Sequence, residues 1–111
     1  MKNPFEHLWH DRMDVYRWNE IEADGVSKSI KELMYSNIKC HYSKDTLADT
    51  DNTIPAIKNS YTLFCAIDID LQEGDEIIVI QRNGKKVKLT VGEGFPYSGH
   101  QEFSVKRGDA V

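Results

Sequence analysis

The sequence predicts an all-β fold, a small antiparallel β-barrel or sandwich of about six strands with a short N-terminal helix and one long loop. Three observations carry this expectation. Val87, Leu89 and Val91 alternate with Lys86, Lys88 and Thr90, the period of two of a half-buried strand. Asn83-Gly84 stands between two strand-like runs, and both residues tolerate the positive φ of a type I′ hairpin turn. Short turn-rich connections join the strand-like segments between Tyr61 and Arg107.

The elements follow in chain order. Asn3 caps, Pro4 suits a first helical position and Glu6 completes a capping box, so a short helix is expected to about His10. Phe5, Leu8 and Trp9 form its docking face. Arg12 to Trp18 reads as a first strand with Met13 and Val15 on one face and Tyr16 and Trp18 on the other. Asn19 to Ser29 is polar, contains Asp24-Gly25, and reads as a loop or hairpin turn. Ile30 to Leu33 is consistent with either helix or strand. Over Met34 to Tyr42 the alternation is clear, with Ile38, Cys40 and Tyr42 opposed to Lys39, His41 and Ser43.

Lys44 to Asn59 is polar and punctuated, the segment expected to form the long loop, whose length points to function or disorder. Tyr61 to Ile67 is apolar on both faces, with Leu63, Cys65 and Ile67 opposing Phe64 and Ala66. Glu73-Gly74-Asp75 turns the chain into Ile77 to Ile80, again apolar on both faces. After the Asn83-Gly84 hairpin and the returning strand, a Gly/Pro-rich loop from Gly92 leads to a last strand at Gln101–Arg107, with Phe103 and Val105 inward. Strands apolar on both faces imply a closed core or a surface packed against another subunit.

The 111 residues form one expected domain, 1–111, and bury roughly two-thirds of the unfolded surface. Hydrophobic residues at 40% and charged residues at 29% indicate a globular chain. A net charge of −4 argues against a dedicated nucleic-acid binder, although Lys85, Lys86 and Lys88, with Lys106 and Arg107, leave room for a local basic face. No run approaches the ~18 apolar residues of a membrane span, and Met1-Lys2-Asn3-Pro4 lacks the apolar core of a signal peptide. A reducing cytoplasm is therefore expected, with Cys40 and Cys65 as buried free thiols and a disulfide between neighbouring strands as the alternative.

Motifs for chemistry are weak. Asp68 to Asp75 resembles a calcium loop, but Gln72 occupies the fifth position and Gly74 the seventh, so a strand end is the better reading and no metal is expected. His7, His10, His41 and His100 show no ligand spacing beyond the first two. Cys40 and His41 are adjacent strand residues, which point to opposite faces. With no nucleophile elbow, phosphate loop or paired carboxylates, neither an enzyme nor a cofactor is expected. Scattered aromatics on a small barrel leave open the binding of single-stranded nucleic acid.

Several pieces taken together resemble the head-closure (stopper, or head–tail joining) proteins of tailed bacteriophages and prophages, often labelled minor capsid proteins. They are Asp14-Val15-Tyr16-Arg17, Ile38-Lys39-Cys40-His41-Tyr42-Ser43, Tyr61-Thr62-Leu63-Phe64-Cys65, Glu73-Gly74-Asp75-Glu76-Ile77, the Asn83-Gly84 hairpin, and Gly92-Glu93-Gly94-Phe95-Pro96-Tyr97-Ser98-Gly99-His100-Gln101-Glu102. The match is to their order along nearly the whole chain. The resemblance implies a structural component of the virion, assembled in the bacterial cytoplasm as a ring, commonly of six copies. Such a ring closes the channel after DNA packaging and offers the tail a docking surface. Its implied partners are other copies of the chain, portal and adaptor proteins on the head side, a tail terminator or tail-completion protein on the tail side, and double-stranded DNA in transit. By position, Lys44 to Asn59 corresponds to the channel loop, with Asp45, Asp49, Asp51 and Asn52 as its candidate residues. Phe64, Ala66, Ile78 and Ile80 are the candidate subunit contacts. The alternative is a small β-barrel adaptor that binds nucleic acid or a protein partner in a cytoplasmic complex.

Overall fold

Among the described residues six strands form, and every pairing among them is antiparallel. They are β1 (Asp11–Ala23), β2 (Val26–Asp49), β3 (Ala56–Ala66), β4 (Glu76–Ile80), β5 (Lys86–Pro96) and β6 (His100–Arg107). The computed structural model describes residues 9–49 and 56–108. The expected N-terminal helix falls on residues outside these, apart from Trp9 and His10, which are not helical. Trp9 is buried.

The strands close in the order β1-β2-β3-β6-β5-β4, and β4 returns to β1 with Met13 opposite Val79. Closure removes the sheet edges within the barrel. Six strands enclose less space than the eight that side chains just fill, so the interior is solid core. Met13, Val15, Cys40, Leu63, Cys65, Ile77, Val79 and Leu89 are fully buried there, joined by Val87, Val91, Phe103 and Val105. Each large apolar side chain contributes about 1.5–3 kcal/mol by leaving water. The alternating residues of the sequence are thus inward as expected, with one exception. Ile67 lies in the turn after β3 and is exposed.

Three strands outgrow the barrel. β1 pairs with β4 only from Arg12 to Tyr16, while its pairing with β2 continues to Ala23–Val26. β3 pairs with β6 from Tyr61, while its pairing with β2 reaches Asp49–Ala56. A two-stranded ribbon therefore leaves each end of the barrel, and the 24-residue β2 belongs to both. The radius of gyration is 16.3 Å, against about 13 Å for a compact chain of this length.

These ribbons decide between the open alternatives at two segments and correct a third expectation. Asn19 to Ser29 is a hairpin arm whose loop is only Asp24-Gly25, at φ 53° and 75°. That pair, with both φ values positive, has the type I′ signature. Ile30 to Leu33 is strand. Most of the expected long loop is also ribbon, since residues 44–49 pair with 56–61. At Asn83-Gly84 only Gly84 has positive φ. There Gly84 N–H donates to the Gln81 carbonyl (2.8 Å), making Arg82-Asn83 the centre of the turn. This is a type I turn followed by a left-handed glycine.

Bulges shape the rest. Between Met13 and Tyr16, β2 holds one extra residue in each of two intervals of the ladder. Asn37, at φ 56°, lies in one of them, and Asp14 Oδ1 accepts from its amide (2.9 Å) and from the Ser36 hydroxyl (3.3 Å). The Gly-rich stretch from Gly92, expected as a loop, continues β5 through a bulge between Val91 and Gly94. Asp68 to Asp75 is a connection rather than a strand end. It inserts Leu71 into the core.

Candidate interaction surfaces

The connection between β3 and β4 is locked by one buried carboxylate. Asp75 accepts from Arg17 Nε and Nη2, both at 2.9 Å, and from the Gln72 amide at 3.0 Å. Arg17 also donates to the Asp70 carbonyl (3.0 Å), and the Tyr35 hydroxyl accepts from the Asp70 amide (3.1 Å). The planar guanidinium meets the carboxylate with two parallel bonds, the strong form of this pair. The base of the first arm is thereby fixed to the barrel rim.

Beyond that base the arm is open to solvent. Trp18 is 51% exposed, Ile21 42%, Val26 56% and Leu33 54%. Register assigns them to faces: Tyr16, Trp18, Glu20 and Glu22 share one face with Leu33, Lys31, Ser29 and Ser27. Arg17, Asn19, Ile21 and Ala23 share the other with Glu32, Ile30, Lys28 and Val26. Lys31 sits over the Tyr16 and Trp18 rings, at 5.1 and 5.7 Å, and reaches Glu76 at 3.5 Å. Burial alone raises the Glu76 carboxyl, but the Trp18 indole, Lys88 and Lys31 outweigh it and hold it below its ordinary value.

The outer face of the barrel carries two different bands. Around one half of the wall Lys39, Arg12, Ile80 and Lys86 lie in a row across β2, β1, β4 and β5, with Asp14, Ile78 and Lys88 in the next row. Around the other half His41, Phe64, Glu102 and Phe95 are successive neighbours across β2, β3, β6 and β5. Ring contacts connect His41 to Phe64 (5.6 Å), Phe64 to His100 (6.2 Å) and His100 to Tyr97 (5.2 Å, stacked), while His100 pairs with Glu102 at 3.1 Å. A shallow open cleft of about 620 Å³ adjoins this band, lined by His10, Asp11, His41, Tyr42, Gln81, Arg82 and Asn83. Asp11 is engaged there with backbone, accepting from the Tyr42 and Arg82 amides.

The two cysteines are direct cross-strand partners, Cys40 on β2 and Cys65 on β3, both free and buried. Burial pushes both thiols up, Cys65 to about 12, so neither offers a thiolate near neutral pH. Among the described residues no group of three or more His, Cys, Asp or Glu is arranged to hold a metal.

The residues singled out in the sequence separate by location. Phe64 and Ala66 are on the outer face of β3, and Ile78 and Ile80 on the outer face of β4. In the ring of strands β3 and β4 are three steps apart in either direction, so these pairs occupy opposite sides of the barrel. Asp45 and Asp49 lie on the β2 part of the second ribbon, opposite Ser60 and Ala56, whereas Asp51 and Asn52 lie outside the described residues. Sequence reasoning missed the exposed arm and the Lys39–Arg12–Ile80–Lys86 row. The row draws on four separate strands, so no local pattern announces it; the Asp24-Gly25 turn did signal the tip of the arm. The chain matches no known protein-family model, and no curated protein is significantly similar to it.

Proposed function

We propose that this chain is a structural subunit of a tailed-phage head–tail connector. In this reading it forms a ring below the portal and adaptor, closes the DNA channel after packaging and presents a docking surface to the tail. The observation that carries the reading is the pair of apolar patches, Phe64 with Ala66 and Ile78 with Ile80, on opposite flanks of one closed barrel. A ring subunit meets each neighbour through a different surface, and opposed flanks supply two. The second ribbon, with Asp45 and Asp49, is the part directed at the channel. Asp45 and Asp49 offer DNA phosphates no attraction, which suits a gate that later releases its cargo. The role is mechanical, and no catalytic group is assigned.

Deletion of the gene from a phage that carries it tests the reading. The expected result is packaged heads that lose DNA and bear no tails, and the protein is found by mass spectrometry in intact virions. Full, tailed, infectious particles without the protein would refute it. Replacement of Asp45, Asp49 and Asp51 by lysine is expected to impair DNA retention or ejection; unchanged behaviour of both would remove the charge argument.

The aromatic band favours one second reading, an adaptor barrel that binds single-stranded nucleic acid by stacking. Rings spaced 5–6 Å apart along His41, Phe64, His100 and Tyr97 resemble a stacking platform. Salt-dependent binding of a short labelled oligonucleotide, lost on Phe64→Ala, would support it over the connector.

A further inference from the structure

We propose that the β1–β2 arm of one copy lies, acidic face down, on the basic flank of a second copy. This adds a contact to the ring beyond the Phe64–Ala66 and Ile78–Ile80 surfaces, and so rests on the connector reading. The arm carries Glu20, Glu22 and Asp24, all exposed, and no base faces the first two across the ribbon. Their cross-strand partners are Ser29 and Ser27. The ribbon does contain lysines, but Lys28 is opposite Ile21 on the other face and Lys31 is already engaged with Trp18 and Glu76. A hairpin selected only for its own stability gains from placing opposite charges across from each other. Here the acids are left for something outside the ribbon.

The flank has the converse problem. Arg12 stands directly opposite Lys39, a like-charge pair that weakens the sheet, and Lys86 follows beyond Ile80 in the same row. Among the described residues none of these three cations is in an ion pair. Arg12 and Lys39 are one strand spacing apart and lie within reach of a single docked face, with Lys86 further around the wall, two strands from Arg12. Trp18 and Ile80 put an apolar contact within each charged surface.

The occupant is a second copy rather than the arm's own barrel. β1 continues from the flank into the arm, and Arg12 lies at the end of the barrel remote from it. The contact joins two unlike patches, so it is heterologous and propagates from copy to copy until a ring closes. A two-stranded ribbon is marginally stable alone, and docking supplies the third layer it lacks.

A charge swap tests the proposal. One variant carries Glu20→Lys, Glu22→Lys and Asp24→Lys; the other carries Arg12→Glu, Lys39→Glu and Lys86→Glu. All six positions are on the surface, and circular dichroism verifies that both variants fold. Sedimentation is followed up to about 1 mM, a contact of roughly −4 kcal/mol. Wild-type chain is expected to self-associate, more strongly at low salt, and each variant alone to weaken at least tenfold. An equimolar mixture is expected to recover association, because the basic arm of one variant meets the acidic flank of the other. Wild type that stays monomeric at that concentration, variants that associate like wild type, or a mixture that stays apart overturns the proposal. None of these outcomes touches the connector reading, which stands or falls on the protein's presence and role in virions.

Discussion

Asp75 is the residue on which the barrel rim depends. It is 2% exposed and holds Arg17 through two bonds. Asp75→Ala leaves the guanidinium only the exposed Asp70 carboxylate, at 3.9 Å, and the expected loss is about 3 kcal/mol in a urea titration. The double variant with Arg17→Ala is expected to lose less than the sum of the two single variants, which a double-mutant cycle reads directly. In the sequence this pair is invisible, because Arg17 and Asp75 meet only through the packing of β1 against the β3–β4 connection. Local spacing suggested a cation site around Asp68–Asp75, whereas the ligand of Asp75 is an arginine of the same chain.

Glu76 adds a pH dependence at the same rim. Its carboxyl is held below its ordinary value of 4.5 by Trp18, Lys88 and Lys31, against the effect of burial. A carboxyl lowered on folding stabilises the fold above its unfolded value, and this contribution disappears as pH falls through the folded value. Acidification below about 4.5 is therefore expected to loosen the arm base and change Trp18 fluorescence, with the rest of the barrel still folded. In Glu76→Gln the fluorescence step is expected to vanish; a step of unchanged size and midpoint would assign it to other carboxylates.

At the scale of elements, the barrel segments are legible in the sequence and the ribbons are not. Val87–Val91 or Met13–Val15 alternate because one face meets the core and the other meets solvent. The arm has solvent on both faces, so its alternation is lost, and Ser27, Lys28 and Ser29 read as loop. Residues 44–49 and 56–59 pair only with each other and not with β6, and their sequence shows no alternation to read. β5 fails differently, since the glycines that suggested a loop permit close packing within a strand. Gly94 is directly opposite Phe103, and a Cβ there would fall on the phenyl ring. Gly94→Ala is accordingly expected to cost about 1–3 kcal/mol by overpacking, seen as a lower Tm. Adding Phe103→Leu to that variant is expected to recover part of the loss; a further drop equal to that of Phe103→Leu alone would show the two sites to be independent.

For the molecule as a whole, the order of pairing along the chain sets a history as well as a shape. The β1–β2 hairpin joins near neighbours through a two-residue turn, and such hairpins form in about 1–10 μs. Closure instead requires Arg12 to find Ile80 and Tyr61 to find Val105, contacts remote in sequence. Topologies dominated by such pairings fold in roughly milliseconds to seconds. Stopped-flow refolding of the chain is expected in that range, and a main phase in microseconds would contradict closure as the slow step. On a ribosome delivering about 5–20 residues per second, β1 and β2 emerge seconds before β6, the strand that seals the barrel. For that interval the nascent chain displays Trp18, Ile21 and Val26 beside core strands that have no roof. A holding chaperone that recognises exposed apolar strand would find its substrate then, and would lose it once the eight-residue β6 arrives.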